Sequence, residues 1–310
     1  MNQRPQTTKM PSSPGTSRGV IIALAAGVVV VIVVAVFVIV GVGGKSKQTT
    51  TLAPSDVVRA VTSVPQSTMN AVAASAASGH SLASPPEKTS TTKMLTKSGK
   101  PLVIYEGAEF CPYCAAERWA LVVALSKFGT FHKLGQTTSS STDVYANTPT
   151  FSFYGASYTS PYIDFQPVEE QTRTGATLQT PTALETNLYN TYEKPPYVQS
   201  AAAGGIPFVD FANRYVIVGA TYSPTLLRDS SNNPFPMGTI AGILADPTAT
   251  TAQGVDGAAN FITGALCNLT GNKPASTCAS PAAVFAKKTL ASLPVGLVTA
   301  AGGSSSKAAG

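Results

Sequence analysis

The sequence predicts an α/β fold, and three observations predict it. An apolar run, Leu102-Val103-Ile104-Tyr105, leads through a short loop into Cys111-Pro112-Tyr113-Cys114, which opens a helical pattern. Strand-like and helix-like stretches alternate after that junction. Apolar residues occupy 44% of 310 positions, enough for a packed core in one large domain or two small ones. Charged residues are only 12%, about half the usual share of globular proteins. Ser, Thr, Ala and Gly take their place.

Residues 1–18 are polar and rich in Pro and Ser, the composition of a disordered tail. Residues 19–43 are an apolar segment in which Val20 to Val42 is almost unbroken Val, Ile, Ala and Gly. As a helix that run spans roughly 33–35 Å, enough for a bilayer core. It is longer than a signal-peptide core, and Gly41-Val42-Gly43-Gly44-Lys45 offers no clear cleavage site. An uncleaved anchor is the better reading, and a cleaved signal is the alternative. The net charge of +6 is concentrated here: Arg4, Lys9, Arg18, Lys45 and Lys47 flank the run, and no acid precedes Asp56. The basic excess is therefore a topology signal, not a nucleic-acid footprint. One such run makes a single pass through the cell membrane, and three basic residues before it against two after it favour a cytoplasmic N-terminus. The C-terminal domain is then extracytoplasmic, where disulfides persist.

Residues 44–92 read as a linker with short helices. Ser55 caps one over Asp56 to Thr62, and Pro65 opens another with Met69, Val72 and Ala73 at helical spacing. Ser81 to Thr92 reads as a loop. The main domain covers 93–290. It begins with a hairpin, Lys93 to Glu106, turning at Lys97-Ser98-Gly99-Lys100. The strand then delivers Cys111 to a helix N-terminus, where unpaired N–H groups and the helix dipole favour a thiolate. Pro112 suits the first turn, where its missing N–H costs nothing. One turn on, Cys114 is close enough to form a disulfide with Cys111: the first cysteine attacks, and the second resolves the mixed disulfide.

The helix runs from Pro112 to about Phe128, apolar over most of its circumference and so buried on more than one side, with Gly129 as its stop. Gln136 to Thr148 is a polar loop. Phe151 to Tyr154 and Tyr162 to Pro167 are strands, and Thr180-Pro181 starts a helix ending near Glu193. Phe208 to Phe211 and Tyr215 to Val218 form a hairpin across Ala212-Asn213-Arg214. Ser223-Pro224 caps a helix, and further helical patterns cover Thr239 to Leu244 and Ala252 to Cys267. Residues 291–310 form a Gly/Ser/Ala-rich flexible tail.

Strand, then C-P-Y-C, then helix resembles the active-site region of the thioredoxin superfamily. The wider run Tyr105-Glu106-Gly107-Ala108-Glu109-Phe110-Cys111-Pro112-Tyr113-Cys114-Ala115-Ala116-Glu117-Arg118-Trp119 resembles a membrane-anchored, thioredoxin-like family of uncharacterised function from actinobacteria and archaea. The likeness continues in Ala124-Leu125-Ser126-Lys127-Phe128-Gly129, in Tyr158-Thr159-Ser160-Pro161-Tyr162 and in Ile206-Pro207-Phe208-Val209-Asp210-Phe211. It implies a thioredoxin-like fold and a redox site, but no settled substrate. It also implies a cis-proline at Pro207 beside the two cysteines, shaping the substrate site. The bland alternative is an ordinary trans proline at a strand start. About ninety residues separate Cys114 from Ile206-Pro207, more than a minimal domain needs, so 136–205 reads as an inserted subdomain.

Other candidates carry bland readings as well. A buried Glu109 carboxylate could accept a proton from Cys114, as such groups do in thioredoxins, while Glu109 or Glu106 pointing at the pair would raise the thiol pKa. A solvated loop carboxylate is the alternative. Glu117 and Arg118 read as solvated helix-surface charges. Cys267 and Cys278, eleven positions apart, read as a structural disulfide contributing roughly 2–3 kcal/mol. The alternative is a second redox pair. His80 and His132, the only histidines, lie far apart and outside metal spacing. Phe151, Phe153, Tyr154, Tyr158, Tyr162 and Phe165 read as core, with a peptide groove as the alternative. Asn268-Leu269-Thr270 is a glycosylation sequon.

The expected function is an extracytoplasmic, membrane-tethered thiol–disulfide oxidoreductase. Cys111 is the nucleophile, Cys114 the resolving thiol, and Pro207 and Glu109 support them. Client proteins with thiols or disulfides and a membrane redox partner are the expected partners. No cofactor or metal is called for. The alternatives are a non-catalytic thioredoxin-like binding domain and a zinc domain built from all four cysteines.

Overall fold

The computed structural model describes residues 51–296. The expected tail at 1–18, the expected membrane anchor at 19–43 and most of the expected flexible tail at 291–310 lie outside those residues. Among the described residues, no helix is long and apolar enough to cross a membrane.

Helices α1 (Ser55–Thr62) and α2 (Gln66–Ala77) come first. Pro54 and Pro65 precede them in extended backbone, without a side-chain cap, so Ser55 lies inside α1 and does not cap it. The expected loop at 81–92 contains a short edge strand, β1 (Glu87–Lys88). The expected hairpin forms from β2 (Thr96–Lys97) and β3 (Lys100–Gly107). Ser98 and Gly99 turn it with φ of 51° and 77°, the left-handed backbone that a two-residue hairpin requires. Helix α3 (Pro112–Leu125) follows. Gly129 keeps a negative φ; it is needed because a Cβ there would strike the Thr159 carbonyl oxygen and the Tyr158 ring.

Strands β4 (Thr130–His132), β5 (Gly135–Thr138), β6 (Pro149–Ser152) and β7 (Ser157–Thr159) make two antiparallel pairs, β4 with β7 and β5 with β6. The expected polar loop at 136–148 therefore opens with a strand. Its Thr-rich sequence suits an extended backbone once β6 supplies a partner. Next come β8 (Asp164–Glu169) and α4 (Ala183–Tyr192). A capping box starts α4: Glu185 N donates to Thr182 Oγ1 at 3.4 Å and Thr182 N to Glu185 Oε2 at 2.5 Å. The hairpin β9 (Phe208–Phe211) and β10 (Tyr215–Val218) turns where expected. Only a 3₁₀ turn, Pro224–Leu227, follows Ser223. Helices α5 (Met237–Ile243), α6 (Thr250–Leu269) and α7 (Pro281–Ser292) complete the described elements, with a single helical turn at Ala275–Cys278 between α6 and α7.

Strand β3 is the centre of the main sheet. It pairs in parallel with β8 and antiparallel with β9, and β10 and β1 extend the sheet beyond β9. A strand with partners on both sides and layers on both faces is apolar throughout, which explains Leu102 to Tyr105. Successive side chains take opposite faces. Val103 and Tyr105 join Val209, Phe211 and Ile217 against α1, α2, α3, α5, α6 and α7. Leu102 and Ile104 join Phe208, Val216, Leu188 and Tyr192 beneath α4. Phe151, Phe153 and Phe165 are core residues. Segment 136–205 contributes β8 to the main sheet.

Candidate active site

The strand-to-helix junction positions the thiols. Gly107 ends β3, a short link follows, and Cys111 caps α3 with extended backbone, φ −74° and ψ 122°. Its sulfur accepts the Cys114 backbone N–H at 3.2 Å, doing for this helix what a Ser or Asp oxygen does elsewhere. Cys111 and Cys114 are unbonded thiols. Cys111 is 5% exposed and Cys114 fully buried, while Tyr113 between them is 41% exposed and meets Tyr145 edge-on. Across from the helix tip, the Ile206 carbonyl oxygen lies 3.5 Å from Cys111 Sγ. The Ile206–Pro207 bond is cis, and β9 starts at the next residue.

The two sulfurs have opposite electrostatics. Burial pushes the Cys111 thiol up. Hydrogen bonds from the Cys114 side chain and from the Cys114 and Tyr113 backbone, with the Arg118 guanidinium, outweigh that and hold it below its ordinary value. Burial, the hydrogen bond with Cys111 and the charge of Cys111 push the Cys114 thiol well up. The arrangement favours the thiolate at Cys111 and the protonated thiol at Cys114.

Beneath the thiols, Glu117 and Arg118 correct the sequence reading: both are fully buried, not solvated. The helix that carries them is covered on every side, so each charge has a dedicated partner. Arg118 grips Glu169 at two points, Nε–Oε1 at 2.8 Å and Nη2–Oε2 at 2.6 Å, and its Nη2 also donates to the Ala108 carbonyl at 2.8 Å. Burial opposes its charge, yet Glu169 keeps Arg118 firmly protonated. Glu117 accepts two hydrogen bonds from Thr221, N–H and hydroxyl, both at 2.8 Å. Sequence reasoning also missed Glu169. The available signal was an acid–base dipeptide inside an otherwise apolar helix, which no surface-facing stripe explains.

Glu109 is buried at 1% exposure, not solvated, and accepts from Ser152 Oγ at 2.7 Å and Thr137 Oγ1 at 3.5 Å. Glu106 lies on the other face of the sheet, beneath α4. Burial, then the charges of Glu170, Glu185 and Glu193, push its carboxyl up to about 8. Glu193 accepts the Gly204 and Gly205 N–H groups, each at 3.2 Å, and so ties down the loop that leads to Ile206.

Cys267 and Cys278 are bonded to each other between α6 and the turn Ala275–Cys278. That bond takes up two of the four cysteines. Among the described residues, no group of three or more His, Cys, Asp or Glu could hold a metal ion. His80 and His132 are exposed.

Fold and site together define a mixed α/β protein with a thiol pair at the tip of a buried helix. The chain belongs to the DUF929 family: the model of this domain of unknown function matches residues 87–268. No curated protein and no solved structure matches the chain.

Proposed function

We propose that this protein is a thiol–disulfide oxidoreductase with a thioredoxin-like core. The observation that carries the reading is the setting of Cys111. Its sulfur caps a helix, its thiol is held below the ordinary value, and it faces the Ile206 carbonyl ahead of Pro207. The sheet order β8-β3-β9-β10, with α3 joining β3 toward the parallel β8 and α6 after the β9–β10 hairpin, supports the thioredoxin-like assignment.

In this reading, Cys111 thiolate attacks a client disulfide, forming a mixed disulfide and releasing one client thiolate. Cys114 then attacks Cys111 Sγ. A Cys111–Cys114 disulfide forms, the second client thiolate departs, and the proton lost by Cys114 ends on a departing thiol. Two electrons pass from the pair to the client; the reverse sequence oxidises a client dithiol. The apolar run at 19–43 and its basic flanks support a membrane tether with the domain outside the cytoplasm, where client proteins and a membrane redox partner would meet it.

The test is the reduction potential of the Cys111–Cys114 pair, by dithiothreitol or glutathione titration with alkylation and mass readout. A value near or above about −180 mV defines a disulfide donor or isomerase, and one near or below about −270 mV a reductase. A pair that does not titrate overturns the exchange reading in favour of a binding domain.

A further inference from the structure

Two polar groups beside Cys114 have no hydrogen-bond partner among the described residues: the Tyr105 hydroxyl and Arg118 Nη1, both fully buried. Buried donors left unmatched are costly and rare, so each calls for a reason. The two are held together. The Arg118 guanidinium carbon sits 5.7 Å from the centre of the Tyr105 ring, and Glu169 fixes the guanidinium from the far side. Both adjoin the second sulfur. Arg118 follows Cys114 by four residues, one helical turn along the same face. The point where a side chain at Gly107 would begin lies 3.1 Å from Cys114 Sγ and in contact with the Tyr105 hydroxyl. Gly107, having no Cβ, thus lets the Tyr105 hydroxyl and the Cys114 sulfur converge over the same backbone position.

We infer that Tyr105 and Arg118 are positioning residues for the resolving step: the hydroxyl and the Nη1 N–H are donors reserved for the thiolate of Cys114. The inference rests on the exchange reading above and deepens it. In the mixed disulfide, Cys111 is a bonded, uncharged sulfur, so its charge no longer opposes that of Cys114. Cys114 still has to lose a proton while shut away from water. Hydroxyl and guanidinium then stabilise the anion; neither takes the proton, which leaves with the departing thiol. The charged and titratable groups that face Cys114 are Cys111 and Arg118 on α3, Tyr105 on β3 and Tyr189 on α4, with Glu169 on β8 behind Arg118. The cation is Arg118, and Cys111 carries the opposing charge only before the client is attached.

The experiment uses the full-length chain in detergent micelles, reduced and mixed with one equivalent of 5,5′-dithiobis(2-nitrobenzoate). Attack by Cys111 releases one thionitrobenzoate, and resolution by Cys114 releases the second. Tyr105→Phe removes only the hydroxyl. It should leave the first phase within about twofold and slow the second about tenfold. The pH profile of the second phase should move up by about one unit, since one pKa unit is a tenfold change in thiolate. Thermal melting of the variant should match or exceed the wild type, because an unmatched buried hydroxyl is lost. A second phase unchanged in rate and pH profile overturns the inference. A wild-type chain that releases no thionitrobenzoate overturns the exchange reading, and this inference with it. A Cys111→Ser chain gives an independent readout: the alkylation of Cys114 by iodoacetamide should shift to higher pH when Tyr105→Phe is added, and an unshifted profile also counts against the inference.

Discussion

Arg118 and Glu169 form a two-point ion pair, wholly buried, directly beneath the strand-to-helix junction that carries Cys111. Because Arg118 also donates to the Ala108 carbonyl at 2.8 Å, the pair joins α3, β8 and the link that precedes the cysteines. Removing one partner leaves an uncompensated charge in the core. Glu169→Leu should therefore cost about 3–5 kcal/mol of stability. The double replacement Arg118→Met/Glu169→Leu should recover most of it, since apolar groups of similar volume can replace a buried pair at little cost. Urea unfolding of the three chains checks this; a single replacement costing under about 1 kcal/mol would make the pair a spectator.

The contrast between the two thiols predicts selective chemistry. At pH 6 to 7, iodoacetamide should modify Cys111 well before Cys114, because only the first is held below its ordinary thiol value and only the first has any exposure. Peptide mapping after brief labelling reads the order directly. Equal labelling of the two would contradict the electrostatics described here.

What the sequence made legible follows the range of the forces involved. The β3 strand, the two-residue turn at Ser98–Gly99 and the β9–β10 hairpin are set by residues within a few positions of each other. They could be read in order along the chain. So could the Cys111-Pro112-Tyr113-Cys114 junction, where proline and helix start coincide. The burial of Glu117 and Arg118 could not. Their partners, Thr221 and Glu169, lie 104 and 51 residues away, and an acid next to a base on a helix ordinarily means solvent. The β5–β6 pairing was hidden for a similar reason: a Ser/Thr-rich stretch becomes a strand only when a partner arrives.

Stability should fall as pH rises through neutrality. Burial pushes the carboxyls of Glu117, Glu193 and Asp210 up to about 7. Glu106 reaches about 8, through burial and then its acidic neighbours. Each folded-state value exceeds the unfolded value near 4, so folding takes up protons. The contribution is fully present below the unfolded pKa and is lost as pH passes through about 7 to 8. The urea midpoint should be higher at pH 5 than at pH 8.5, and Glu117→Gln should flatten the decline. A midpoint that rises over this range would mean that other groups dominate.

The disulfide and the reactive pair should be separable. Cys267 and Cys278 close a loop of eleven positions in the helical layer, away from the Cys111 junction in sequence. Replacing both with Ala should cost about 2–3 kcal/mol by the loop-closure argument. It should leave the rate of thionitrobenzoate release by Cys111 within about twofold. Loss of that release in a chain that still melts cooperatively would assign the second pair a part in exchange.

The packing of α6 on α7 sets the last prediction. A side chain at Gly264 would begin 2.6 Å from the Ala286 Cβ and 3.1 Å from the Ala286 and Lys287 backbone, so the two helices meet with no space for a methyl group. Gly264→Ala should force them apart and cost about 1–3 kcal/mol, even though alanine is the better helix former. Gly242, in α5, is the control. A side chain there meets nothing within 4 Å, its φ is not in the left-handed region, and the site is exposed. Gly242→Ala should raise stability by about 0.5–1 kcal/mol through propensity alone. Opposite signs for the same chemical change would separate interhelical contact from backbone entropy. If both variants gained stability, the contact at Gly264 would be soft enough to relax around a methyl group.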